Sequence, residues 1–184
     1  MIRQLPPDEI EKRARHLLKQ AGIESPPVPI ERVADALRIK IERSDLGSDC
    51  SGVLVREGER AVIGVNWDHH PNRQRFTIAH EIGHYQLHLG TTYVDSGYRV
   101  NFRDLEAGSG TKREEIQANA FAAALLMPAQ WVREEFKKRA FEMASEAEDL
   151  EEMARCFEVS TQAMAIRLAN VLNVTQDSED HESI

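Results

Sequence analysis

The chain has 184 residues, of which 41% are hydrophobic and 29% charged, as is typical of a globular protein. This length predicts one compact domain with a core large enough to fold without disulfide bonds. The formal net charge of −8 argues against capture of nucleic acid, which requires clustered Lys and Arg side chains. We therefore expect protein or peptide partners and no direct binding of nucleic acid.

The cysteines and the N-terminal segment indicate the cellular compartment. Cys50 and Cys156 lie far apart and outside any CxxC pattern, which is typical of ordinary thiols in a reduced compartment. The first residues lack the apolar segment of a signal peptide, and no run approaches the ~18 apolar residues of a membrane span. We therefore predict a cytoplasmic protein that does not bind membranes. The oligomeric state stays open.

The first half of the chain predicts helices around a small sheet. A helix is expected over 7–20, because Ile10, Ala14 and Leu17 form one apolar stripe and Gly22 follows as a stop. The elements predicted after it are a short helix over 30–37, a strand over 38–43, a hairpin with strands at 52–55 and 61–65, and a helix from about 73 to 89.

The second half is predicted to be helical. Residues 91–110 are polar and without clear periodicity, which indicates a functional or partly mobile loop. A long helix is expected to start at Thr111 and to end before Pro128. Two further helices are predicted over 145–157 and 161–172, followed by an acidic tail.

The segment from His80 to His84 carries the chemistry. Residues four apart lie on one face of a helix, so His80 and His84 can bind one metal ion. Glu81 then lies beside that ion and can accept a proton from its water molecule. Gly83 leaves room beside the metal or allows another backbone to approach closely. This HExxH pattern on a buried helix predicts a zinc-dependent hydrolase.

A third protein ligand is expected on the helix that begins near Thr111. The longer HExxHxxGxxH pattern is excluded because Leu87 and Gly90 stand at its last Gly and His positions. Glu114 and Glu115 are the alternatives. Thr111 and Glu114 form a capping-box pattern, which leaves Glu115 as the favoured ligand.

Four further side chains are candidates for supporting roles. Asn119 lies one turn after Glu115, where it could hydrogen-bond the other nitrogen of a ligand histidine. His88 continues the histidine face by one turn, where packing or hydrogen bonding to a ligand is favoured over direct ligation. Tyr93 and Tyr98 are possible donors to the oxyanion of a tetrahedral intermediate.

These motifs resemble the ImmA/IrrE metallopeptidase family. The resemblance extends from about 30 to 172 and includes the segments RFTIAHEIGH (75–84), EIQANAFA (115–122), LLMP (125–128), IGVN (63–66) and VSTQAM (159–164). It implies a gluzincin-like site with His80, His84 and Glu115 as metal ligands and Glu81 as the base. Zinc is the expected ion, with manganese as an alternative.

The resemblance also implies a partner. Such proteases cleave transcriptional repressors of mobile elements or of stress responses, so a helix-turn-helix repressor or an antitoxin-like protein is the expected substrate. The hairpin over 52–65 is expected to offer an edge to an extended peptide. The alternative is a non-catalytic, metal-containing module that binds and neutralises a repressor or a toxin–antitoxin partner.

The elements and the resemblance together predict an α+β fold. A small antiparallel sheet packs on zincin-type active-site helices, and a helical extension follows at the C-terminus. The predicted divisions are a metallopeptidase domain over 1–140, a helical extension over 141–174 and a disordered acidic tail over 175–184. The extension has a helix-turn-helix rhythm, but its second helix carries Arg167 as its basic residue, so we expect packing or partner docking there.

Overall fold

A computed structural model of the protein describes residues 5–58, 60–88, 92–95, 109–139 and 146–179. The elements in these ranges, in chain order, are α1 (Pro7–Gln20), α2 (Ile30–Ala36), β1 (Ile39–Ser44), β2 (Gly52–Glu57), β3 (Arg60–Asn66), α3 (Pro71–Leu87), β4 (Thr92–Asp95), α4 (Ser109–Leu126), α5 (Ala129–Arg139), α6 (Glu146–Phe157) and α7 (Thr161–Glu179). The predicted α+β class is confirmed. None of the helices in these ranges combines the length and the hydropathy that a membrane-spanning segment requires.

The four strands form one mixed sheet in the order β1-β3-β2-β4. The predicted hairpin is present as β2 and β3, which pair antiparallel with Leu54 opposite Ile63. The prediction of an antiparallel sheet is wrong for β1, which pairs parallel to β3 with Ile41 opposite Ile63. This pairing joins strands separated by the whole of β2, so no local turn signal indicates it.

Both edges of the hairpin are paired with other strands over most of their length. β3 pairs with β1 on its other side, and β2 pairs antiparallel with β4, with Leu54 opposite Tyr93. The expectation that the hairpin offers an edge to a peptide is therefore wrong, because β4 occupies that position.

Helix α3 lies against the sheet and is buried through its centre. All eight residues from Thr77 to His84 are buried, as expected of a helix enclosed by other elements. It begins at Pro71, two residues before the predicted start, because proline suits the first helical position and the His70 ring accepts a hydrogen bond from the Asn72 amide at 3.2 Å.

The C-terminal helices belong to the same apolar core as the rest of the chain. Phe157, Met164 and Val171 are at most 3% exposed and lie in one buried cluster with the side chains of α1, α3 and α4. Helix α7 continues to Glu179, so residues 175–179 of the predicted tail are helical. The division of the chain into domains stays a prediction.

The basic residue of α7 is engaged within the protein. The Arg167 guanidinium donates to the Met127 carbonyl at 2.8 Å and pairs with the Glu11 carboxylate at 2.6 Å. Glu11 also accepts from the Ala129 amide at 2.8 Å. Arg167 therefore ties α7 to α1 and to the turn between α4 and α5.

Candidate metal centre

Helices α3 and α4 approach each other where a glycine faces a backbone. A Cβ atom added to Gly83 would lie 3.0 Å from both the Cα and the carbonyl oxygen of Ala118, and 3.3 Å from Phe121 Cβ. Only glycine permits this approach without displacing the neighbouring helix. Of the two roles expected for Gly83, the structure shows the close approach of a second backbone.

This approach brings the three predicted ligands together. The Nε2 atoms of His80 and His84 lie 3.0 Å apart. One carboxylate oxygen of Glu115 lies 3.2 Å from His80 Nε2, and the other lies 3.2 Å from His84 Nε2. Both imidazoles are 1% exposed, whereas the Glu115 side chain is 46% exposed. The cluster therefore combines two buried nitrogens with the carboxylate of a partly exposed side chain.

The spacing and chemistry of this cluster fit a zinc ion. Two His and one Glu form one of the ligand sets of catalytic zinc sites. Ligand atoms about 2.0–2.2 Å from a tetrahedral ion lie about 3.3–3.5 Å from one another, slightly more than the separations here. Among the described residues, His80, His84 and Glu115 are the group of His, Cys, Asp and Glu side chains that could hold a metal.

Asn119 determines which nitrogen of His80 faces the cluster. Its Oδ1 lies 2.7 Å from His80 Nδ1, so it accepts a hydrogen bond from an Nδ1–H group. The lone pair of His80 is then on Nε2, directed at His84 and Glu115. Asn119 thus makes the contact that its position one turn after Glu115 predicts.

Glu115 is held as a carboxylate. Burial alone would raise its pKa, but hydrogen bonds and charge interactions with His80 and His84 lower the pKa to about 2. The carboxylate is therefore ionised throughout the neutral range, as a metal ligand must be.

Glu81 is enclosed beside the cluster. It is 0% exposed, although carboxylates are seldom fully buried. Gly52 on β2 packs closely against this part of α3, because a Cβ at position 52 would lie only 2.4 Å from Thr77 Cγ2 and in ordinary contact, at 3.4 Å, with Glu81 Oε1. The buried carboxylate of Glu81 therefore lies where β2 packs closely against α3.

His88 lies at the end of α3 and hydrogen-bonds His84 rather than joining the cluster. Its Nδ1 is 3.1 Å from His84 Nδ1, and its Nε2 is 3.2 Å from Gln117 Oε1. Burial lowers the pKa of His88 below its ordinary value of 6.5, and the positive field of His84 acts in the same direction, against the hydrogen bond to Gln117. His88 is therefore neutral at pH 7.

Two residues of the site carried no recognised signal in the sequence. Gln117 is 4% exposed, and a polar residue within the apolar run from Ile116 to Ala122 could have indicated a buried hydrogen bond. Arg56 donates to the His84 carbonyl at 2.9 Å and lies 4.6 Å over the Tyr85 ring, at the C-terminal end of α3. Arg56 belongs to a tract that predicts a turn, so nothing local indicates this contact.

The remaining candidates are placed as follows. Glu114 does not join the cluster. Thr111 is not the N-cap predicted to pair with Glu114, because α4 begins at Ser109 and Thr111 lies inside its first turn. Tyr93 lies in β4, and its side chain is outside the described part of the structure. Tyr98 lies outside the described residues.

The fold and the site define a class of protein, namely an α+β domain with a candidate metal centre of two His and one Glu between two packed helices. A family model described as Peptidase M78, IrrE N-terminal-like domain, matches residues 34–169. The chain belongs to this family of metallopeptidase-like domains.

Comparison of structures shows the same fold in a transcriptional regulator from Mycobacterium tuberculosis, at a TM-score of 0.59 and 17% sequence identity. The match covers 88% of this chain and 47% of the regulator, so this chain corresponds to about half of that protein. A search of the curated proteins gave no match.

Proposed function

We propose that the protein is a zinc-dependent endopeptidase. The observation that supports this most strongly is the convergence of His80 Nε2, His84 Nε2 and the Glu115 carboxylate beside the fully buried carboxylate of Glu81. A pure metal-binding module has no need of Glu81, since a buried carboxylate that is not a ligand is costly to keep. The family to which the chain belongs supports the same reaction class.

The residues would share the reaction as follows. A zinc ion held by His80, His84 and Glu115 would polarise the scissile carbonyl and make a water molecule acidic at neutral pH. Glu81 would accept the proton of the attacking water and later pass it to the leaving amine. Burial of Glu81 beside Gly52 would limit the reorganisation of its carboxylate when the proton moves.

We propose further that the substrate is a DNA-binding repressor or an antitoxin-like partner. This proposal rests on the resemblance to ImmA/IrrE proteins. The structural neighbour is itself described as a transcriptional regulator. The net charge of −8 suits a basic protein partner better than an acidic one.

The test is cleavage of a candidate repressor encoded near the gene, followed by gel electrophoresis and mass spectrometry. The wild-type protein with zinc should produce two fragments. Glu81→Gln should retain zinc and lower the cleavage rate by at least about 100-fold, because the general base is lost. Glu114→Gln is the matched control, an acidic residue of α4 outside the cluster, and should cleave at the wild-type rate.

The alternative of a non-catalytic module predicts a different outcome. In that case wild type and Glu81→Gln would bind the repressor equally, would both relieve repression, and would leave the repressor intact. Such a result would refute the endopeptidase proposal while leaving the metal site in place.

A further inference from the structure

A chain of hydrogen bonds runs from α4 to the second ligand histidine. Gln117 Oε1 lies 3.2 Å from His88 Nε2, and His88 Nδ1 lies 3.1 Å from His84 Nδ1. His84 Nε2 then faces His80 and Glu115. We call Gln117, His88 and His84, in this order, the relay. His88 and Gln117 are 3% and 4% exposed, so water has little access to these bonds.

The relay has two possible arrangements of protons. When the amide oxygen of Gln117 accepts from His88 Nε2–H, His88 Nδ1 is an acceptor and His84 Nδ1–H donates to it. The lone pair of His84 is then on Nε2, at the cluster. When the amide is rotated so that its NH2 group donates to His88, every proton moves to the other nitrogen, and His84 presents an N–H group to the cluster. A metal ion can bind only the first arrangement.

The side chain of Gln117 is buried in the arrangement that suits metal binding. Its Nε2 atom has no hydrogen-bond partner among the described residues. Leaving a buried amide donor unsatisfied is unfavourable in folded proteins. The amide oxygen of Gln117 is thus placed at His88 although the amide nitrogen is left without a hydrogen bond.

From this geometry we propose that Gln117 is a positioning residue for metal binding, acting through His88 to hold His84 in the tautomer with its lone pair on Nε2. The two ligand histidines are thus oriented from the same helix, His80 directly by Asn119 and His84 indirectly by Gln117. This inference rests on the metal site of the proposed function, but it requires no peptidase activity.

The proposal is tested by zinc affinity, measured by competition with a chromophoric chelator in the absence of any peptide. Gln117→Met keeps the length of the side chain and removes the acceptor, so zinc affinity should fall about 10–100-fold. Gln117→Glu can only accept, so its affinity should equal or exceed that of the wild type. Equal affinities for wild type and Gln117→Met, or an equal loss in both variants, would overturn the proposal.

A matched control separates positioning from general destabilisation. Gln74 is a glutamine of α3 itself, and its amide donates to the Trp67 and His69 carbonyls away from the cluster. Gln74→Met should lower the free energy of unfolding without changing zinc affinity. A loss of zinc affinity in Gln74→Met as large as that in Gln117→Met would count against a specific role of the relay.

The wild-type protein gives a test that no folding defect can obscure. Two-bond ¹H–¹⁵N correlation spectra of zinc-loaded protein with labelled histidine report which ring nitrogen carries the proton. His88 should be protonated on Nε2, and His80 and His84 on Nδ1. A His88 protonated on Nδ1 would overturn the proposal. Wild-type protein that binds zinc with these tautomers but cleaves no substrate would refute the peptidase function and leave the relay standing.

Discussion

Gly83 offers the sharpest test of how the two helices hold the candidate metal centre. In an exposed helix, replacing glycine by alanine stabilises the protein by about 1 kcal/mol. At position 83 the added methyl group would lie 3.0 Å from the Cα and the carbonyl oxygen of Ala118. Carbon atoms in good contact are about 3.5–4.0 Å apart, so the helices must separate by about 0.5 Å or more.

The magnitude follows from two opposing terms. Overpacking a close contact costs about 1–3 kcal/mol, and Ala118 cannot relieve it by rotating a side chain because the contact is with its main chain. Against the gain of about 1 kcal/mol in helix propensity, we expect Gly83→Ala to lose about 1 kcal/mol of unfolding free energy. Glu115 lies one turn from Ala118, so zinc affinity should fall about 10-fold as the carboxylate moves away from the histidines.

Urea unfolding of the metal-free protein measures the first effect, and chelator competition measures the second. The double variant Gly83→Ala with Ala118→Gly is the control. It should recover neither quantity, because the methyl group of Ala118 is not what Gly83 accommodates. A Gly83→Ala protein that is about 1 kcal/mol more stable than wild type and binds zinc normally would refute this account of the helix packing.

Three further predictions concern Asn119, Gly52 and Arg167. Asn119→Asp should retain zinc affinity, because a carboxylate can still accept a hydrogen bond from His80. Asn119→Leu should lower zinc affinity, measured by chelator competition, about 10–100-fold; similar losses in both variants would contradict the orienting role of Asn119. Gly52→Ala should lower the turnover number about 10–100-fold and leave zinc content unchanged. The new methyl would lie 2.4 Å from Thr77 Cγ2, so the contact of β2 with α3 beside Glu81, the proposed general base, must shift; a wild-type turnover number would argue against that packing. Arg167→Met should lower the unfolding free energy by about 2–3 kcal/mol in urea titrations, since its charge-assisted hydrogen bonds are mostly buried; an unchanged midpoint would be inconsistent with its role in docking α7.

Local sequence patterns predict the part of the site that lies on one helix. The spacing of His80 and His84 places both rings on one face, whatever the rest of the fold does. The hairpin, the apolar stripe of α1 and the stop at Gly22 are also local features, and each has its counterpart in the structure.

Features that depend on contacts between distant parts of the chain could not be predicted from local sequence patterns. Glu115, and not Glu114, lies in the observed cluster. The predicted N-cap at Thr111, on which the choice between them was based, is wrong because α4 starts two residues earlier, at Ser109. Two contacts illustrate this: the pairing of β4 with β2, and the hydrogen bond between Gln117 and His88. Each joins residues that lie 29 or more positions apart along the chain. No periodicity carries such information, because it arises only when the elements pack.

The central claim is that His80, His84 and Glu115 hold a zinc ion, and zinc content tests it most directly. Protein purified, stripped of metal and dialysed against dilute zinc should contain about one zinc ion per chain. Glu115→Gln should lose most of this zinc under the same dialysis, and Glu114→Gln should keep it. Zinc content that is equal in Glu115→Gln and wild type would contradict the assignment of the third ligand and the site built on it.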